Sequence, residues 1–352
     1  MMNHKLPFDP NKTRVDTPPM TIYEALRKIQ RGHIRLNPEF QRNFVWSEQQ
    51  QSRLIESILM RVPLPAFYLD ATDEGQWQVI DGFQRLSTLY RFCKLGELRL
   101  KGLEFLDLED ASFDELPEPY QRILEDTPLT LIVVQPGTPG GVKFVIFQRI
   151  NTGGVSLNPQ EIRHALYEGP AREILQELAE SAEFRAAAVG LSDTDIRRME
   201  DRECVLRFLT LRLNPEYVGG LGEDNVLTYE ALLNRTMDDL NQSRPVTLDQ
   251  FRLEFRDSMV KAEQLFGDLA FREVTDPQLP GPFRKQLFDV WSIALTQQPL
   301  EWLLQRRDNL LRLAIRAMSD DAAFASAIAP QSDDWPSVTQ RFKTVRDMLD
   351  TA

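Results

Sequence analysis

The sequence predicts an α+β domain with a small sheet, followed by an all-helical domain. Three observations carry this. Short apolar runs alternate with amphipathic segments as far as about residue 150. From about residue 170 onward, nearly every segment repeats its apolar residues three to four positions apart, the spacing of a buried helix face. Between the two regimes, Gly169-Pro170 breaks the chain. The division expected is an irregular arm over 1–19, an α+β domain over 20–168 and a helical domain over 169–352.

Each element has a local reason. Residues 1–19 hold Pro7, Pro10, Pro18 and Pro19 and no apolar period, so they read as irregular. Thr21-Ile22-Tyr23-Glu24 is a capping box, and Ile22, Ala25, Leu26 and Ile29 follow at helical spacing until Gly32. Phe40 to Trp46 reads as a loop or short strand. Ser47-Glu48-Gln49-Gln50 caps a second helix whose stripe is Leu54, Ile55, Ile58 and Leu59, stopped by Pro63 and Pro65. Ala66–Leu69 and Gln76–Ile80 are two short strands around a turn-rich segment. Asp81-Gly82 ends the second, and a helix runs from there to Leu95, closed by Gly96.

Residues 97–128 are mixed and acidic. Leu129 to Val134 is a strand, and Val142 to Ile150 is apolar without a clear period. Asn151-Thr152-Gly153-Gly154 is a sharp break. Asn158-Pro159-Gln160-Glu161 supplies an N-cap, a proline at the first helical position and an acid at the third. The helical half then shows periodic segments at 173–178, 204–213, 227–240, 251–269, 283–294, 302–318 and 338–349.

Composition bounds the functional classes. The chain has 352 residues, 42% hydrophobic and 27% charged, with a net charge of −12. Residues 1–165 hold 19 Lys and Arg against 21 Asp and Glu, the remainder 22 against 32. Such an acidic chain does not coat nucleic acid by bulk charge. A basic DNA-reading helix is also lacking at 206–213, where only Arg207 and Arg212 are cationic. Contact with DNA is therefore expected to be indirect or weak. No apolar run approaches the roughly 20 residues of a membrane helix, and Met1 to Pro10 carries no apolar signal segment. A cytoplasmic location is expected. Cys93 and Cys204, far apart in helical patterns, read as reduced buried thiols. His4, His33 and His164 have no metal-ligand spacing.

Three motifs can carry chemistry. In Val79-Ile80-Asp81-Gly82-Phe83-Gln84-Arg85 a strand delivers the chain to a glycine turn and a helix starts at once. A helix start offers unpaired N–H groups and partial positive charge, which suits phosphate. Gly82 permits close approach, and Asp81 suits Mg²⁺ or the orientation of a water beside phosphates. Arg85 in the first helical turn opposes the helix dipole, which a bound anion would offset. A plain helix start with a solvent-facing Arg85 is the competing reading. In Phe40-Gln41-Arg42-Asn43-Phe44-Val45-Trp46 the aromatics suit a core, and Arg42 suits either the surface or a phosphate. Asn151-Thr152-Gly153-Gly154 is either a backbone nest for an anion or a simple turn. Arg163 and His164 follow on a capped helix, where a lone histidine reads as structural. No catalytic triad, P-loop or dinucleotide fingerprint is present.

Taken together, "FQRNFVW", "VIDGFQRLSTLYRF", "FQRINTGGVSLNPQEIRHALYEG" and "RRMEDRECVLRFL" resemble the family typified by the N-terminal part of GmrSD restriction enzymes, over about residues 20–215. The resemblance implies a ParB/sulfiredoxin-like fold and nucleotide binding or hydrolysis in defence against foreign DNA. It places nucleotide-binding roles on Arg42, Asp81, Gly82, Gln84, Arg85, Asn151, Thr152 and Gly153. Asp81 would be the catalytic and metal-holding residue, and the cofactor an NTP with Mg²⁺. Phe83 stands where the family often has glutamine, which weakens the case for hydrolysis more than for binding. The HNH nuclease that often follows in the family has no counterpart, since the helical half holds no histidine to build it. The expected role is a nucleotide-binding sensor or regulator. The alternative is an adaptor whose helical half docks a partner, such as a separate nuclease chain. A homo-oligomer is compatible with either.

Overall fold

A computed structural model describes residues 13–36, 46–73, 75–150, 157–219, 227–274 and 279–352, without the side chains of 72, 73 and 150. Arg42, Asn151, Thr152 and Gly153 lie outside the described residues. The chain divides into two compact units that meet at residues 157 and 158.

In the first unit the elements are β1 (Val15–Asp16), β2 (Met20–Thr21), α1 (Ile22–Gln30), β3 (Ile34–Arg35), α2 (Glu48–Leu59), β4 (Phe67–Asp73), β5 (Gln76–Asp81), α3 (Phe83–Tyr90), α4 (Glu118–Asp126), β6 (Pro128–Leu129), β7 (Leu131–Val134) and α5 (Gly140–Ile150). Five strands form one mixed sheet, ordered β1-β7-β4-β5-β3, and β2 pairs with β6. β4 runs parallel to β7 and antiparallel to β5, and β3 runs parallel to β5. Leu69, Val79, Leu131 and Val133 are buried in one core with Ile22, Leu26, Ile55, Ile58, Leu86 and Leu89 of α1, α2 and α3. The expected α+β class with a small mixed sheet is what the chain adopts.

The capping signals act as written. Thr21 and Ser47 each close a capping box with Glu24 and Gln50. α3 continues through a π-type turn, Arg91–Leu95, and ends at Gly96 with φ 65°. Three features escaped the sequence. β1 lies within the stretch read as an irregular arm; two residues are too few for a period, and pairing with β7 alone defines them. α4 starts at Pro117-Glu118-Pro119, within the stretch read only as mixed and acidic; its prolines fit the first helical turn. The apolar stretch without a period is helix α5, which packs against β5.

The second unit is all helical: α6 (Pro159–Leu166), α7 (Pro170–Ala179), α8 (Ala182–Ala187), α9 (Asp193–Arg197), α10 (Glu200–Leu213), α11 (Tyr229–Asn241), α12 (Pro245–Phe266), α13 (Lys285–Thr296), α14 (Leu300–Gln305), α15 (Arg307–Asp320), α16 (Ala322–Ala327) and α17 (Trp335–Thr351). α10, α12 and α13 pack on one another, with the Phe208 and Phe255 rings edge to face at 5.1 Å. Cys204 is buried there; Cys93 of the first unit is only partly buried, and both are free thiols. No helix among the described residues is long and apolar enough to cross a membrane.

Candidate functional site

β5 ends at Asp81, where its chain lies opposite Tyr68 of β4. Gly82 then takes φ 97°, ψ 9° and starts α3 with no side-chain cap. The conformation demands glycine twice over. A left-handed backbone is costly for other residues. A Cβ at Gly82 would also stand 2.3 Å from Cδ1 of Phe67. Phe83 turns inward and is buried in the core, so it fills space and faces no ligand.

Arg85 does not face solvent. Its Nη1 donates to the Pro65 carbonyl at 2.5 Å, and its Nη2 to the Ala66 carbonyl at 3.1 Å and to Asp81 Oδ2 at 2.8 Å. The guanidinium lies 4.2 Å from the centre of the Phe67 ring. Burial pushes its pKa below the ordinary value, and Asp81 opposes that shift. The cation in the first turn is thus matched by Asp81 and two carbonyls, which clamp the Pro65–Phe67 strap to the helix start. The residues just before that strap, Pro63 and Leu64, line a groove of about 780 Å³ together with Ile58, Arg61, Ile123 and Thr127.

Asp81 is 36% exposed at its side chain, and its Oδ1 makes no bond among the described residues. Gln84 reaches the other way: its Oε1 accepts from the Trp46 backbone N–H at 3.4 Å, tying α3 to the residue before the Ser47 cap of α2. The turn therefore brings Asp81, Gly82 and Arg85 together, while the Gln84 side chain points away from them toward Trp46.

A charged pair beside this turn was missed by the sequence reading. Asp70 of β4, 8% exposed, meets the Lys143 ammonium of α5 at 3.1 Å. Lys143 stands as a charge near the start of an apolar run, which was the available signal. Its partner is set only by the packing of α5.

His164 and Arg163 on α6 are both engaged in packing contacts. Arg163 is fully buried and pairs with Glu203, at 3.4 Å, and with Glu230. The His164 ring lies against Arg202 Nη1. On α10, Arg207 is buried between Asp289, at 2.7 Å, and Asp333, at 2.6 Å, while Arg212 pairs with Glu254. Among the described residues, no cluster of three His, Cys, Asp or Glu could hold a metal ion.

Residues 22–168 match the family model described as "GmrSD restriction endonuclease, N-terminal domain", the family expected from the motifs. No curated protein and no solved structure matches the chain.

Proposed function

We propose that the region 22–168, matched to the N-terminal domain of GmrSD restriction endonuclease, is a nucleotide-binding module of a restriction system against foreign DNA. The observation that carries this reading is the turn itself. A strand end and an uncapped helix start meet at a glycine that no other residue can replace without strain. Beside it stands a carboxylate with one oxygen open. Backbone N–H groups at such a start take phosphate oxygens, and the open carboxylate oxygen of Asp81 takes Mg²⁺ or a Mg²⁺-bound water. Arg85 fixes the geometry and contributes charge from behind. Gln84 ties the helix start to the Trp46 backbone, and Arg42 with Asn151, Thr152 and Gly153 belongs to the expected nucleotide-binding set. The small mixed sheet with a phosphate turn at a helix start also suits a ParB/sulfiredoxin-like fold. Hydrolysis at Asp81 would need positioning and charge more than covalent chemistry.

Thermal unfolding with each of four NTPs and Mg²⁺ tests this. A nucleotide at about 100 times its dissociation constant should stabilise the protein by roughly 2.7 kcal/mol. Asp81→Asn keeps a hydrogen bond to Arg85 but should lose the Mg²⁺-dependent part of that gain. A wild-type protein indifferent to all four nucleotides would sink the reading, and so would an Asp81→Asn protein that responds in full.

A second reading rests on the surface of α12, where Val246 and Leu253, two turns apart, are 71% and 66% exposed. In that reading the helical half is an adaptor face for a partner nuclease chain. Val246→Asp/Leu253→Asp should then abolish co-purification of that chain while leaving nucleotide response intact.

A further inference from the structure

Residues 102–121 hold seven acids and no Lys or Arg. The first part, Gly102 to Asp110, is a loop braced from within. The backbone N–H groups of Glu104, Phe105 and Leu106 all donate to the buried Glu56 carboxylate of α2, at 2.7–3.1 Å. Glu109 accepts from the Gly102 N–H, and Arg53 holds Glu104 at 2.6 Å. Leu103, Leu106 and Leu108 pack against the core of the unit. Phe105 is the loop's one apolar side chain left outside, 72% exposed. A ring that could bury about 150–250 Å² is thus held in water by a fixed backbone. Tyr23 is the other aromatic exposed among the described residues, and Lys94 covers its ring at 4.9 Å. Phe105 has no such cover among the described residues.

The same unit carries the groove of about 780 Å³ between the end of α2 and α4. Ile58, Val62, Leu64, Pro119 and Ile123 give it apolar walls, and Val62 is 49% exposed. Loop and groove both border α2, since Glu56 receives the loop and Ile58 lines the groove. Arg61, also in the groove, is exposed and has no acidic partner among the described residues. Of the groove's acids, Glu118 pairs with Arg122, and Asp126 ends α4. On the loop, Asp107 is exposed and has no basic partner among the described residues.

We propose that the groove receives Phe105 of a second copy of this chain, the two copies exchanging Phe105 about a two-fold axis. A buried aromatic anchor is the usual centre of a protein interface. Asp107 of each copy then meets Arg61 of the other. Two loops this acidic repel each other, which disfavours loop-on-loop pairing. The groove with its open cation is the complementary surface. Anchor and groove on one unit let both contacts close within a dimer. Two such contacts fall below the roughly 1,200 Å² of stable complexes, so the pair should be transient, with a dissociation constant of about 1–100 μM. The surface is separate from the Asp81–Arg85 turn, so either assignment can fail alone.

The test is sedimentation velocity of the full chain, without nucleotide, over about 1–200 μM. The wild type should pass from monomer to dimer within that range. Phe105→Ala and Val62→Asp should each weaken association by more than about tenfold. Phe105→Ala, at an exposed position, serves where Val62→Asp loses its circular dichroism spectrum. Asp107→Arg and Arg61→Glu should each weaken the dimer, and Asp107→Arg/Arg61→Glu should restore it, because both charges are exchanged. Val246→Asp/Leu253→Asp, on the helical unit, should change nothing. A wild type that stays monomeric throughout overturns the proposal. So do species larger than a dimer, full association of Phe105→Ala, an equal loss in the Val246/Leu253 variant, and a double charge exchange as weak as either single change.

Discussion

At the residue scale, the Asp81–Arg85 turn shows how one position can be legible and its neighbour not. Gly82 was legible, because a glycine between a strand and a helix has few reasons other than backbone need. The close Phe67 ring adds a second reason that no sequence window contains. Gly82→Ala should therefore cost at least about 1–2 kcal/mol from the left-handed backbone alone, and more from the clash. Urea unfolding measures it; an Ala variant of wild-type stability would mean that the strap moves freely. Arg85 was legible as important but not in its role. Its acceptors include the carbonyls of Pro65 and Ala66, about 20 residues away in sequence. Asp81→Asn is for that reason a cleaner probe of ligand binding than any change at Arg85.

At the scale of elements, caps and stripes were the readable part. α1, α2 and α6 begin at the boxes written in the sequence. α6 carries more than its cap. Gln160, Glu161, Arg163 and His164 are all buried, an unusual load of polar groups for eight residues. Burial, with Arg202 and Arg172 beside it, pushes the His164 imidazole down to about 3 from 6.5. The unfolded chain then binds a proton that the folded one refuses. Stability is complete above pH 6.5 and drains as the pH falls from 6.5 toward 3. Glu203, which faces Arg163, adds a lower window. Burial works against its charge, but Lys285, Arg163 and Arg207 hold its pKa at about 2. Its share is lost as the pH falls from 4.5 toward 2. Plotting the urea midpoint of the helical unit against pH checks this. His164→Gln should flatten the slope between pH 6.5 and 4.5, and an unchanged slope would place the acid sensitivity elsewhere.

At the scale of the molecule, the helical unit is organised around charge as well as apolar packing. Asp289 is fully buried and bonds both Arg207 and Arg341. Buried charges hold only when matched, and removing one partner typically costs about 3–5 kcal/mol. α6 belongs to this network through Arg163, although sequence reading groups it with the residues before it. A fragment over 158–352 should fold cooperatively. One over 169–352 should lose stability, because Glu203 and Glu230 lose Arg163. Comparing their urea transitions decides the matter, and equal midpoints would show that α6 contributes nothing to that unit.

By itself the sequence determined the alternation of strand and helix, the helix starts, the place of the glycine turn and the match of residues 22–168 to the GmrSD N-terminal domain. These follow from periods, caps and backbone demands, which act within a few residues. Only the tertiary structure decided that Arg85 is a clamp, that Asp70 meets Lys143, and that Arg207 is buried between two acids. A charge acts on whatever lies within about 8 Å in space, and its sequence neighbours do not record what that is.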